Sequence, residues 1–234
     1  MKTFNFPKAS LAAAVLLVLL TGCTSKKAAD DTPSLGEVTV STTAIEPDVY
    51  FQGAIKAFTE NNYAEASQAI GQACDYMASI KGLSNDKFQK NFDNSITELR
   101  ELQANVKSDK VDGLDELNYF FARAGNALAG VHMNVTESIS FNVKGPDAGK
   151  ELMKAVASIR SMVSYHHYEF DAEENVLLGE IEGLAKRLEK NEPVTKEELD
   201  AKFKLLGTHL TKWGNDIEVN YSGSHKKGVI HNEF

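Results

Sequence analysis

The chain has 234 residues and a formal charge of −8 at pH 7, so it lacks the basic excess that nucleic-acid phosphates call for. Five prolines, one tryptophan and no long low-complexity tract fit one compact domain, long enough to bury a core. Two cysteines rule out a disulfide-stapled scaffold.

The first element is an export signal. Lys2 and Lys8 supply a positive start, the run from Leu11 to Leu20 is apolar, and Thr21-Gly22 sets small residues before Cys23. The apolar run is too short to cross a bilayer, which takes roughly 20 residues in helix. An ordinary secretory signal ends in an A-x-A-like site and has no use for the cysteine. Leu20-Thr21-Gly22-Cys23 instead resembles the lipobox of bacterial lipoproteins. The resemblance implies a diacylglyceryl group on Sγ of Cys23, cleavage just before it, and a further acyl chain such as palmitate on the new amino terminus. Two or more acyl chains hold a protein stably at a membrane where one does not, each buried CH₂ contributing about 0.8 kcal/mol. Thr24, where that family's sorting rule would set Asp for inner-membrane retention, implies the outer membrane, facing the periplasm or the cell surface. Removal of the signal peptide, residues 1–22, takes two lysines and moves the charge from −8 to −10. Anionic head groups repel so acidic a surface, which leaves the acyl chains as the membrane contact. With Cys23 acylated, Cys74 has no intramolecular partner. It shares an apolar stripe with Ile70 and Met77 and reads as a small inert hydrophobe.

Residues 23–47, the lipidated cysteine and a Lys/Asp/Ser/Thr-rich stretch, read as a flexible linker. Residues 48–219 carry helical periodicity throughout. Phe51, Ile55 and Phe58 form one face; after Asn61-Asn62, Tyr63, Ala66, Ile70, Cys74 and Met77 form the next. The segment "AIKAFTENNYAEASQAIGQA" resembles the middle of a tetratricopeptide hairpin, with Ala54, Tyr63, Ala66, Ile70 and Ala73 at its small, aromatic and apolar positions. It occurs once, without the Trp or closing Pro of that pattern, and such arrays need several copies, so it reads as a tight helical hairpin. Phe88 to Val106 and Leu114 to Val135 supply two further stripes, the second stepping by three and four as an a/d seam. Leu152 to Leu188 lie close to one line and read as a single long fourth helix. "SISFNV" stays ambiguous between a helix end and a loop. Beyond Pro193, Thr195 and Glu198 form a capping box that opens a last helix through Trp213. Residues 220–234 read as a flexible tail. The expected fold is all-α: an up-and-down antiparallel bundle of five to six helices.

No G-x-S-x-G elbow, H-E-x-x-H helix or C-x-x-C pair occurs, so the domain reads as non-catalytic. The leading expectation is an outer-membrane-anchored lipoprotein that binds a protein partner in the envelope or scaffolds it, with no cofactor beyond the lipid. The alternative is a bundle that binds a divalent metal or a small ligand around "SYHHYEFDAEEN". There His167 and Asp171, four apart on one helix face, join His166 and Glu169 as candidate ligands. Against it, helix levels at 1.5 Å per residue separate His166 from His132 by ~12 Å and from His209 by ~16 Å. The same levels bring Glu98, Glu101 and Arg123 near His166.

Cys23→Ser should abolish incorporation of labelled fatty acid and leave an uncleaved precursor on a gel. A mutant processed and fractionating as the wild type does would refute the lipobox.

Overall fold

The computed structural model describes residues 47–83, 86–140 and 145–226. The signal segment, Cys23 and the linker up to residue 46 lie outside them, as do residues 227–234. Among the described residues the chain forms seven α-helices and no strand: α1 (Asp48–Thr59), α2 (Tyr63–Ile80), α3 (Asp86–Lys107), α4 (Leu114–Ser140), α5 (Gly145–His166), α6 (Ala172–Glu189) and α7 (Lys196–Lys226). A 3₁₀ turn at Lys81–Leu83 follows α2. The fold is the all-α up-and-down bundle that the periodicity predicts, with seven helices in place of five to six, and the described residues fall within one compact unit.

Consecutive helices pack side by side, and α7 returns against α4, which also meets α1, α3 and α5. With neighbours on several sides, α4 has no solvent face along its middle. Every residue from Ala127 to Met133 is buried. A helix buried all round needs apolar or small residues on every side, and Ala122, Ala124, Gly125, Ala127, Ala129 and Gly130 supply them. The seam from Leu114 to Val135 is therefore one face of a helix buried on the others as well.

Two expected boundaries are corrected. The stripe from Leu152 to Leu188 is two helices, because the chain reverses between His166 and Ala172 and α6 folds back along α5. The last helix does not stop at residue 219 but continues through Lys226. α4 itself carries "SIS" to its end at Ser140, and the rest of "SISFNV" lies outside the described residues.

Four helix ends, those of α1, α3, α5 and α6, share one device. Asn61, Asp109, His167 and Asn191 have φ of 59°, 52°, 51° and 54°, the left-handed conformation that ends a helix. In each case the next residue's N–H reaches back five residues: Asn62 to Ala57 (2.8 Å), Lys110 to Asn105 (2.9 Å), Tyr168 to Val163 (3.3 Å) and Glu192 to Arg187 (2.8 Å). Asn, Asp and His are the non-glycine residues most often found there. Asp171 then starts α6 with a capping box. Its side chain accepts from the Glu174 N–H (2.8 Å), and Glu174 accepts from the Asp171 N–H (3.1 Å).

The α5–α6 contact is close enough to be tested. A Cβ on Gly149 would stand 2.5 Å from the Ala185 carbonyl oxygen and 2.6 Å from the Glu189 nitrogen, both backbone atoms that cannot rotate away. Around Gly179, on α6, a Cβ would meet nothing within 4 Å. Gly149→Ala should therefore lower stability by about 1–3 kcal/mol through overpacking. Gly179→Ala should raise it by about 0.5–1 kcal/mol through helix propensity. Denaturant melts of the two variants should move in opposite directions.

Candidate functional site

The bundle buries few polar side chains, and three of them, His132, Glu151 and Glu174, organise two clusters. The first joins α4 to α5. His132 Nδ1 lies 2.9 Å from Glu151 Oε2, and Lys154 Nζ donates to Glu151 Oε1 at 2.7 Å. Burial pushes the Glu151 carboxyl up, but His132 and Lys154 outweigh it and hold the group below the ordinary carboxylate range. An ionised carboxylate only accepts, so the imidazole hydrogen sits on Nδ1 and Nε2 is the ring's other polar atom.

That cluster borders a cleft of about 300 Å³ between α1, α2, α4 and α5. Phe51, Tyr76, Gly125, Leu128, Met153 and Ala157 make its apolar walls. Gly125 sets its width: a Cβ there would come within 3.0 Å of the Ser158 carbonyl oxygen on α5. Polar groups stand at the two ends. His132 and Lys154 line one, while Glu151, which holds both, does not line the cleft. At the other, the Tyr165 hydroxyl donates to Asp48 and accepts from Gln52 at 3.2 Å. Burial, and then the Asp48 carboxylate, push that phenol's pKa well above the ordinary tyrosine range. Phe51 stacks on Phe121 with ring centroids 4.4 Å apart, fixing α1 over this end.

The second cluster locks the α5–α6 turn to α7. Glu174, wholly buried, accepts from Trp213 Nε1 (2.9 Å), Lys212 Nζ (3.0 Å), the Tyr168 hydroxyl (3.1 Å) and the Asp171 N–H (3.1 Å). Burial pushes this carboxyl up, yet those donors together bring its pKa down to about 2. His209 stands beside it, Nδ1 at 3.7 Å from Oε1.

The expected ligands around His166 do not form a set. His166 ends α5 and meets Asn220 at 3.0 Å, His167 is the left-handed residue that stops the helix, and Asp171 spends its side chain on the α6 cap. Glu169 is exposed in the turn between them. His167 and Asp171 thus lie on no common helix face, which corrects the expected geometry. Among the described residues no group of three or more His, Cys, Asp or Glu is arranged to hold a metal ion. His132, His166 and His209 each have a different partner, on α5, α7 and α6 respectively. Arg123 and Glu98, expected together with Glu101 near the level of His166, pair with each other at 3.0 Å, and Glu218 joins Arg123 at 3.3 Å. Cys74 is buried, and burial pushes its thiol up to about 11, as an inert core cysteine requires.

Sequence reading singled out neither Glu151 nor Glu174 as functional. Asp171-x-x-Glu174 was legible as a capping box. Glu151 carries a fainter signal, as the one acid among the apolar positions of its stripe. No protein-family model matches the chain, and no curated protein or solved structure shows significant similarity to it.

Glu174 makes a pH prediction. Its folded pKa lies below its unfolded value, so its contribution is complete above about pH 4.5 and is lost as pH falls toward about 2. Acid titration of stability should show a loss across that window. Glu174→Gln should lower stability at pH 7 by about 1–3 kcal/mol and flatten the acid limb. An unchanged acid limb in the variant would remove Glu174 from this role.

Proposed function

We propose that this chain is a lipid-anchored envelope protein whose helical domain is a non-catalytic receptor for a small, mostly apolar ligand. The observation that carries the ligand reading is the cleft between α1, α4 and α5, with apolar walls and the His132–Glu151–Lys154 cluster at one end. Small-molecule sites have this composition, apolar walls with few placed polar groups, and about 300 Å³ is at the small end of their range. The acyl anchor on Cys23 and the outer-membrane location belong to the same proposal and rest on Leu20-Thr21-Gly22-Cys23.

The non-catalytic reading is supported by the state of Glu151. A carboxylate fully engaged by two donors, and held below its ordinary range, orients those donors and stores no proton at neutral pH. Small-ligand binding is thus favoured at the α4–α5 cleft rather than around His166. For a protein partner or scaffold the described surface offers less. Its exposed large apolar side chains are Val49, Val176, Leu205 and Val219, on α1, α6 and α7, and singly exposed apolar residues are ordinary.

The test is thermal stability of the mature chain from Thr24 onward, with decanol as a neutral chain of matching size. A ligand that binds only the folded state raises Tm by mass action, here by about 3–5 °C at tenfold Kd. Ala157→Trp, at an exposed position on the cleft wall, should keep the fold and abolish the rise. No rise in the wild type would overturn the reading.

A further inference from the structure

The two ends of the cleft differ in charge, and that difference selects a ligand. At the α4–α5 end the groups facing the cleft are Lys154 and His132, while the Glu151 carboxylate that engages both stands behind. One ammonium hydrogen of Lys154 is used by Glu151 and two remain, since an ammonium has three. Asp48 faces the other end, eleven residues along α5 at Tyr165, or about 16 Å at 1.5 Å per residue. Between them the walls are mostly apolar, with Ser158 and Ser161 of α5 among the lining residues. The volume is about twice that of an apolar cavity of ~150 Å³ that takes one benzene, which is room for one short chain.

We propose that the cleft takes a single-chain amphiphile with an anionic head, the head against Lys154 and the chain running toward Phe51 and Tyr165. This inference rests on the ligand-binding reading above and adds the chemistry of the ligand to it. A two-chain lipid exceeds the volume, which selects a free medium-chain carboxylate or its phosphate analogue. A cationic head would meet the Lys154 ammonium at that end. On the anchored reading the membrane is a ready source of such chains, and Pro47, the first described residue, is part of the cleft rim.

The experiment compares head groups on one chain length. Decanoate, decyl phosphate, decanol and decyltrimethylammonium are titrated against the mature chain from Thr24 onward below their micelle-forming concentrations, by calorimetry and by thermal shift. Decanoate and decyl phosphate should each bind at least about tenfold tighter than decanol, the worth of a hydrogen bond to a charged group. Decyltrimethylammonium should bind more weakly than decanol. Lys154→Met should erase the anionic preference while leaving decanol unchanged, and Lys154→Arg should retain it. Should Lys154→Met fail to fold, the order of the four heads on the wild type decides alone. Equal affinity for all four, or tightest binding of the cation, overturns the head assignment and leaves the cleft reading standing. A folded Lys154→Met that keeps the preference overturns the role of Lys154. No binding of any chain overturns both proposals.

Discussion

The bundle depends on α4 being packed on several sides at once. A helix in a two-layer arrangement can turn one face to water, and its sequence needs apolar residues on a single stripe. α4 meets α1, α3, α5 and α7, and so must satisfy several contact distances along one rod. Small residues make this possible by letting neighbours approach closely. Gly125 admits the α5 backbone, and at Gly130 a Cβ would stand 2.6 Å from the Phe88 ring of α3. Leu117, Phe121, Leu128 and Val131 fill the wider spaces. Interiors are packed at crystal-like density, so this alternation of small and large leaves little tolerance for volume changes on any side of α4.

Packing alone does not set the order of helices around such a rod, because apolar contacts are non-directional. The buried carboxylates add direction. Glu151 accepts from a histidine on α4 and a lysine on α5, and Glu174 accepts from Tyr168 in the α5–α6 turn and from two residues of α7. Each is deeply buried with its donors in place, the condition under which an ionised group is tolerated in a protein interior. Sliding a helix by one turn would break these contacts and leave a charge without partners, a larger penalty than the loss of an apolar contact. The two clusters therefore specify register, whereas the apolar surface supplies the driving force.

Periodicity made the helices legible because burial on a helix recurs every three to four residues. It failed where its premise failed. On α4, alanine and glycine do not stand out as a stripe, yet no charged residue occurs between Ala124 and Thr136, and that gap was the available sign of all-round burial. Between Phe170 and Leu177 the apolar step is seven, which a continuous helix and a reversed chain satisfy equally well; the capping box at Asp171 and Glu174 decides between them. The His132–Glu151 contact spans nineteen residues with no local motif. A turn centred on Gly145 pairs His132 with a residue near 158, about two helical turns from Glu151, since the true register is offset by several residues. The cleft was the least legible feature, because its walls come from four helices and its width from the absence of a side chain at Gly125.

The position of Pro47 has a mechanical consequence. A load applied at Pro47 enters at the first turn of α1. There the load falls on the Asp48–Tyr165 hydrogen bond and the Phe51–Phe121 stack. α1 is the shortest of the described α-helices, and Asp48, Phe51 and Tyr165 of those contacts also line the cleft. A pull applied at Pro47 would therefore act along the same contacts that border the cavity, coupling a load at this end of the domain to the shape of the cleft.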